Sequence, residues 1–335
     1  MTWKERRLIT VLSVILAILS AALLIVLGIR YRQSRDAVQD PAAQAVQAAQ
    51  AAGSTYASLS VYSGSATLSF SIQEDGTWVW DDDTEFPLDD STIESMMDLL
   101  SDLTPQQVLS DPESLESYEL DAPSASISAV KVDQSTVSVT FGKATTDGTS
   151  RYAMMNDDAS TIYIFADTLY QALQTPIYDM MTLPELPELP ELPESSISSI
   201  SIQGPGEDAQ PLLLAAQHTD DGATTWLSGG EDVTDNASVQ ALLEDLGQMQ
   251  IARCVDYRPS DEAASICGFD APDALVQVTY TPEDGSESVW TLTVGTTEPG
   301  GTGRYARIGA DTTIYLLETA LLDPLMRIAA GGLTS

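Results

Sequence analysis

Two Arg-Tyr pairs, Arg151-Tyr152 and Arg304-Tyr305, are the residues whose types best suit recognition chemistry. Only eight basic residues follow Asp36, and these two arginines stand in near-identical strings, GTSRYA and GTGRYA. A guanidinium offers a planar fork of donors suited to carboxylate or phosphate, so an anionic ligand is one reading of the four residues. The other reading is a partly buried ion pair that fixes a strand in each place. No catalytic residue is expected, because GxSxG and HExxH are both missing from the sequence. His218 ends an apolar strand with no second His or Cys nearby, which points to a surface histidine. Cys254 and Cys267 lack CxxC spacing and histidine partners, so no metal site is expected from them; a disulfide and two buried thiols both fit. The acidic run DDDTEFPLDD (81–90) has Phe86 and Thr92 where a calcium loop needs Gly and Glu. GTTEPGGTG (295–303) reads as a hairpin loop, since strands flank it and no helix follows to hold a phosphate. No cofactor is expected.

The elements that carry these residues come twice. GTSRYAMMNDDASTIYIF (148–165) matches GTGRYARIGADTTIYLL (301–317), and YELDAPSASISA (118–129) matches CGFDAPDALVQV (267–278). Upstream, VSVTFG matches WTLTVG, and the Trp78 segment matches that of Trp226, all at about 150 residues apart. Alternation of period two in SATLSFSI, SISAVKV, STVSVTFG, LVQVTYT and SVWTLTVG predicts half-buried strands. In STIESMMDLLSDL, Ile93, Met96, Met97 and Leu100 share one helical face, with Ser91 and Glu94 at capping-box spacing. ASVQALLEDLGQM places Val239, Leu242, Leu243 and Leu246 likewise, and a last helix is expected over 167–181 and again over 318–330. The fold class is therefore α+β, with two tandem repeats (57–181 and 196–331), each a mainly antiparallel sheet with one or two covering helices.

Between the repeats lies LPELPELPELPE (183–194), whose Pro at every third residue favours polyproline II, with Leu on one ridge and Glu on another. At roughly 3.1 Å per residue it would span about 37 Å, as a semi-rigid spacer. At the N-terminus, 22 residues without a charge (8–29) are long enough for one transmembrane helix, and the apolar run is too long for a cleaved signal peptide. Lys4, Arg6 and Arg7 balance Arg30, Arg32 and Arg35 across it, so charge alone does not orient the span. The short tail (1–7) is expected in the cytoplasm and the repeats outside, after an Ala/Gln-rich stalk (36–54). The chain has 14 Lys+Arg against 50 Asp+Glu, a formal net charge of -36 that excludes nucleic acid as a partner.

Trp, acidic loop, helix, LDxP, alternating strands, a strand ending in Gly, GxxRYA and a TIY strand together resemble a bacterial family, domain of unknown function 4340. The residues that carry the resemblance are Trp78, Leu120, Asp121, Pro123, Gly142, Arg151, Tyr152 and Tyr163 in the first repeat. Trp226, Phe269, Asp270, Pro272, Gly295, Arg304, Tyr305 and Tyr315 carry it in the second. Glu119 departs from it where Gly is commoner. The resemblance supplies no catalytic residues; it implies a cell-membrane protein anchored by one pass, with an extracytoplasmic body often encoded beside ABC-transporter components. The expectation is a non-enzymatic accessory or interaction protein, with an ABC permease or another envelope protein as partner. A ligand-binding module or hydrolase with a site between the repeats is the alternative.

Overall fold

The computed structural model describes residue 49 and residues 53–64, 66–184, 186, 196–206, 209–218, 223–282 and 285–333. The predicted tail (1–7), membrane helix (8–29) and most of the stalk lie outside these, as does most of the Leu-Pro-Glu tract. No helix among the described residues is long and apolar enough to cross a membrane.

The first compact unit runs to Gln174 but leaves out Phe86–Asp89, which belong with the residues from Thr175 onward. Its strands are β1 (Tyr56–Tyr62), β2 (Thr67–Ile72), β3 (Trp78–Trp80), β4 (Gln107–Leu109), β5 (Ala125–Lys131), β6 (Thr136–Ala144), β7 (Ser150–Met155) and β8 (Ile162–Ala166). Helix α1 (Asp90–Ser101) follows β3, and a short α2 (Thr168–Ala172) follows β8. All eight strands form one antiparallel sheet in the order β3-β2-β1-β5-β6-β7-β8-β4. Alternation buries Leu59, Val61, Phe70, Ile127, Val139 and Phe141 on one face, where Ile93, Met96, Met97 and Leu100 of α1 are buried too. The side chains that alternate with them form cross-strand rows on the opposite face. The rows are Val79-Ser71-Ser58-Val130-Thr136, Ser69-Ser60-Ser128-Ser138 and Thr67-Tyr62-Ser126-Thr140-Met154.

The second unit repeats this plan. Its strands are β9 (Ile197–Gln203), β10 (Leu212–His218), β11 (Thr224–Ser228), β12 (Glu231–Asp232), β13 (Ile251–Asp256), β14 (Ala274–Tyr280), β15 (Ser288–Thr297), β16 (Gly303–Ile308) and β17 (Ile314–Glu318). The sheet order is β12-β11-β10-β9-β14-β15-β16-β17-β13. Apart from the two-residue edge β12, it matches the first sheet strand for strand. Helix α3 (Ala237–Gln248) is capped by Asn236, whose side chain accepts from the N–H of Ser238 and Val239. Helices α4 (Asp261–Ile266) and α5 (Thr319–Gly331) complete the unit. Trp226, Val239, Leu242, Leu246, Leu322 and Leu325 are buried in one core with the inner strand residues. The outer rows are Asp232-Leu227-Ala215-Ser199-Thr279-Val289, Leu213-Ser201-Gln277-Thr291 and Gln203-Leu275-Thr293-Arg307.

The structure corrects the last helix expected in the first repeat. Instead of one helix over 167–181 there is α2, then a separate 3-10 turn at Ile177–Met180. Pro176 has no N–H to continue a helix and pushes Thr175 away from helical angles, so the helix stops before it. The turn builds into the second unit with Phe86–Asp89. Phe86 is buried, edge-on to Tyr257 at 5.2 Å and stacked on Tyr178 at 6.3 Å. Leu88 bridges Met181, the Asp89 N–H donates to the Met180 carbonyl at 2.7 Å, and the Thr182 N–H donates to that of Pro87 at 2.8 Å. Further along, Leu186 of the Leu-Pro-Glu tract packs against the second unit's core. Ala49, near the end of the Ala/Gln-rich stretch, is helical and fully buried.

Candidate functional site

The two repeated arginines occupy equivalent junctions. Arg151 on β7 donates from Nη1 to the Gly142 carbonyl at 3.1 Å, and Arg304 on β16 donates from Nη1 to the Gly295 carbonyl at 3.0 Å. Each also meets a carboxylate of its own unit. Nη1 of Arg304 lies 2.7 Å from Oδ2 of Asp273, and Nε of Arg151 lies 3.1 Å from Oδ1 of Asp167. In the Arg151 pair the N–H is not aimed at the oxygen, so the contact is an ion pair without a hydrogen bond. Tyr170 of α2 covers the Arg151 guanidinium, with its ring centroid 3.5 Å from Cζ, close enough for a cation–π contact. Both arginine side chains are under a fifth exposed.

The glycines that accept these bonds are there for space. A Cβ on Gly142 would come within 2.1 Å of the Tyr118 carbonyl oxygen, and a Cβ on Gly295 equally close to that of Cys267. In each unit the segment crossing the end of the sheet therefore presses its backbone onto a strand glycine, and the arginine ties that glycine's own carbonyl. The next residue along the crossing segment is left-handed in both units, Glu119 at φ 57 and Gly268 at φ 87. Glycine takes that region freely, whereas Glu119 is held there against its Cβ.

The tyrosines beside the arginines point to different surroundings. Tyr152 rests on Tyr118 at 4.9 Å between ring centroids, next to a small cluster of Leu120, Met154 and Ile162. In the second unit Phe269 and Arg307 stand where Leu120 and Met154 stand in the first, and Cζ of Arg307 lies 4.2 Å above the Phe269 ring. An apolar pair has thus been exchanged for a cation–π pair. Burial pushes the Tyr305 hydroxyl up from its ordinary value, and so does the neighbouring Cys267.

The other motifs are also taken up within the fold. Cys254 and Cys267 are free, buried thiols. Burial first, then Asp256 and Asp311, pushes the Cys254 thiol up to about 12, and burial with Asp256 raises Cys267. His218 lies 3.0 Å through Nε2 from the Ile197 carbonyl and 3.2 Å through Nδ1 from the Thr224 hydroxyl. In the acidic run, Asp81 accepts from the Ser71 hydroxyl at 2.6 Å and Asp90 from the Trp78 N–H at 3.2 Å. Among the described residues no group of three or more His, Cys, Asp or Glu is placed to hold a metal ion. The Gly-rich stretch after Gly295 closes the β15-β16 hairpin, with the Glu298 N–H donating to the Gly303 carbonyl at 2.9 Å. A concavity of about 540 Å³ beside the start of α5 is lined by Ala252, Gly303, Leu316, Thr319 and Asp323, and contains neither Arg304 nor Tyr305.

Sequence reasoning missed Asp167 and Asp273 as the arginines' partners. The carboxylate precedes α2 in one repeat and β14 in the other, so no repeated acid marks it. Ser124, the counterpart of Asp273, instead donates its hydroxyl to the carbonyls of Phe141 and Gly142.

A family model described as "Domain of unknown function (DUF4340)" matches the chain twice, over residues 78–272 and 233–329, which together span well over half of it. The first match begins at Trp78 and ends at Pro272 of the second Asp-Ala-Pro, so it crosses the repeat boundary. No curated protein and no solved structure matches the chain significantly.

Proposed function

We propose that this chain, which belongs to the family described as domain of unknown function (DUF4340), is a membrane-anchored, extracytoplasmic interaction subunit that performs no chemistry of its own. The observation that carries the reading is the use made of the repeated polar residues. Arg151 and Arg304 are each committed to a glycine carbonyl and a carboxylate of the same unit, so duplication has kept a folding device. The uncharged stretch 8–29 supplies the single-pass anchor, and the extreme acidity suits a body held in solvent beside the membrane. The partner proposed is the permease of an ABC-type transport system.

Purification of the full-length chain in mild detergent after cross-linking in cells, followed by mass spectrometry, tests this. A permease and ATPase recovered in constant ratio to the chain is the expected result. A chain that runs alone, or one with a hydrolytic activity that Arg304→Ala abolishes while the fold survives, refutes it.

A further inference from the structure

The two sheets end alike but are covered differently. β4 and β13 are the last strands of their sheets. In the first unit Val108 of β4 closes the cross-strand row Phe141-Ala153-Tyr163-Val108, and in the second Cys254 of β13 closes the equivalent row Val294-Ala306-Tyr315-Cys254. Both rows begin in the core, with Phe141, Ala153, Val294 and Ala306 fully buried. At the far end they part: Cys254 is 1% exposed and Tyr315 3%, whereas Val108 is 46% exposed and Tyr163 only half-buried. The cover over the second row is the 3-10 turn at Ile177–Met180, which lies against β13. Tyr178 of that turn donates its hydroxyl to Asp256 at 3.3 Å, and burial, then Asp256, then Cys254 push that hydroxyl up from its ordinary value. Phe86 stacks on Tyr178 and packs edge-on to Tyr257. The turn comes from the chain just before the second repeat. Among the described residues only Ala49 and residues 53–55 precede β1, and Val108 stays open.

An exposed valine means nothing by itself. Here the second unit shows that the same end of the same sheet takes a cover, and of what kind: a turn with an aromatic ring, backed by the buried Met180 and Phe86. We propose that the Val108–Tyr163 end of the first sheet docks a partner protein through a turn that carries a Tyr or Phe beside Lys or Arg. The ring follows from the turn at Tyr178, the basic flank from charge. No Lys, Arg or His occurs between Asp36 and Val130, and Asp102, Asp111 and Glu113, on either side of β4 in the chain, are exposed. Exposed carboxylates in such a stretch select a basic neighbour. A second copy does not fit, because its Tyr178 turn is built into its own second unit and two chains of net charge -36 repel.

The proposal rests on the interaction-subunit reading and narrows it to one surface. The test places a photo-cross-linking amino acid at Val108 of the full chain in native membranes, with Val289, an open valine at 57% exposure, as control. The expected result is a protein adduct from Val108 and none from Val289, joined to a partner peptide that holds Tyr or Phe close to Lys or Arg. Val108→Glu should lower co-purification of that partner about tenfold, and Val108→Ile should leave it unchanged. An adduct within the same chain, as from Tyr31 between Arg30 and Arg32, overturns the proposal by making the cover the chain's own. So does an adduct with the mass of two chains, an adduct to lipid or glycan, or equal yield from Val289. A partner peptide without the ring or the basic residue overturns the stated chemistry. Partners recovered by general chemical cross-linking but not through Val108, and in equal amount with Val108→Glu, refute the site and leave the interaction reading standing. No protein adduct by either route defeats both.

Discussion

At the scale of single residues, the repeated positions report on space more than on chemistry. Gly142 and Gly295 each leave room for a carbonyl 2.1 Å from where a Cβ would stand. Gly142→Ala or Gly295→Ala therefore forces backbone apart, and a loss of about 3 kcal/mol or more is expected in denaturant unfolding. The opposite change applies at Glu119, left-handed at φ 57: Glu119→Gly removes the Cβ penalty and should stabilise by about 0.5–1 kcal/mol. Among the chemically reactive side chains, the thiols are set apart by burial, which with Asp256 and Asp311 raises Cys254 to about 12. Neither Cys254 nor Cys267 should react with a thiol reagent at pH 8 in the folded chain, and both should react on unfolding. Fewer than two thiols after unfolding without reductant would reveal the disulfide instead. The Arg-Tyr pairs were visible in the sequence as repeats, but which of two uses the arginines had was not, since their carboxylate partners lie at unrelated positions.

At the scale of elements, turns account for part of the acidity. Asp75, Asp133, Asp158 and Asp232 each accept from the N–H and hydroxyl of the Ser or Thr two residues on, and Asp147 accepts from the Thr145 hydroxyl and the Thr149 N–H. For Asp75, Asp133, Asp147 and Asp158 the hydroxyl bond is the main cause that holds the carboxyl below its ordinary value; for Asp232 the N–H bond of Thr234 comes first. A depressed folded value means that the bonds contribute fully above the unfolded value of 3.8 and are lost as pH falls through the lower folded values. Unfolding followed from pH 5 to pH 2 should show stability falling below about 4, and Asp133→Asn with Asp158→Asn should flatten that fall. Strand alternation and the apolar face of α1 were legible because periods of two and 3.6 are written directly in the sequence. The α2 break was legible in principle at Thr175-Pro176, since a proline neither continues a helix nor leaves the residue before it helical.

At the scale of the whole molecule, the formal charge of -36 opposes compactness through self-repulsion. Raising salt from about 0.01 to 0.15 M shortens the screening length from roughly 30 to 8 Å, so the melting temperature should rise by a few degrees. A flat or falling profile would mean that the carboxylates are already neutralised by bound cations. The twofold plan was readable from matching strings, and the sheet orders agree strand for strand. The unit boundaries were not, because Phe86–Asp89 are joined to the second unit by pairing with residues 180–182, a contact between segments far apart in the chain.

By itself the sequence determined the α+β class, the duplication, the strand alternation and the buried faces of α1 and α3, since all of these follow from local periodicity and from comparison of the chain with itself. Only the tertiary structure decided that Arg151 and Arg304 are spent on strand glycines and that both cysteines are shut away. It also decided that Ser69, Ser60, Ser128 and Ser138 of four strands line up in one row. Each of these depends on which distant residues register brings side by side, and spacing along a single chain does not encode that.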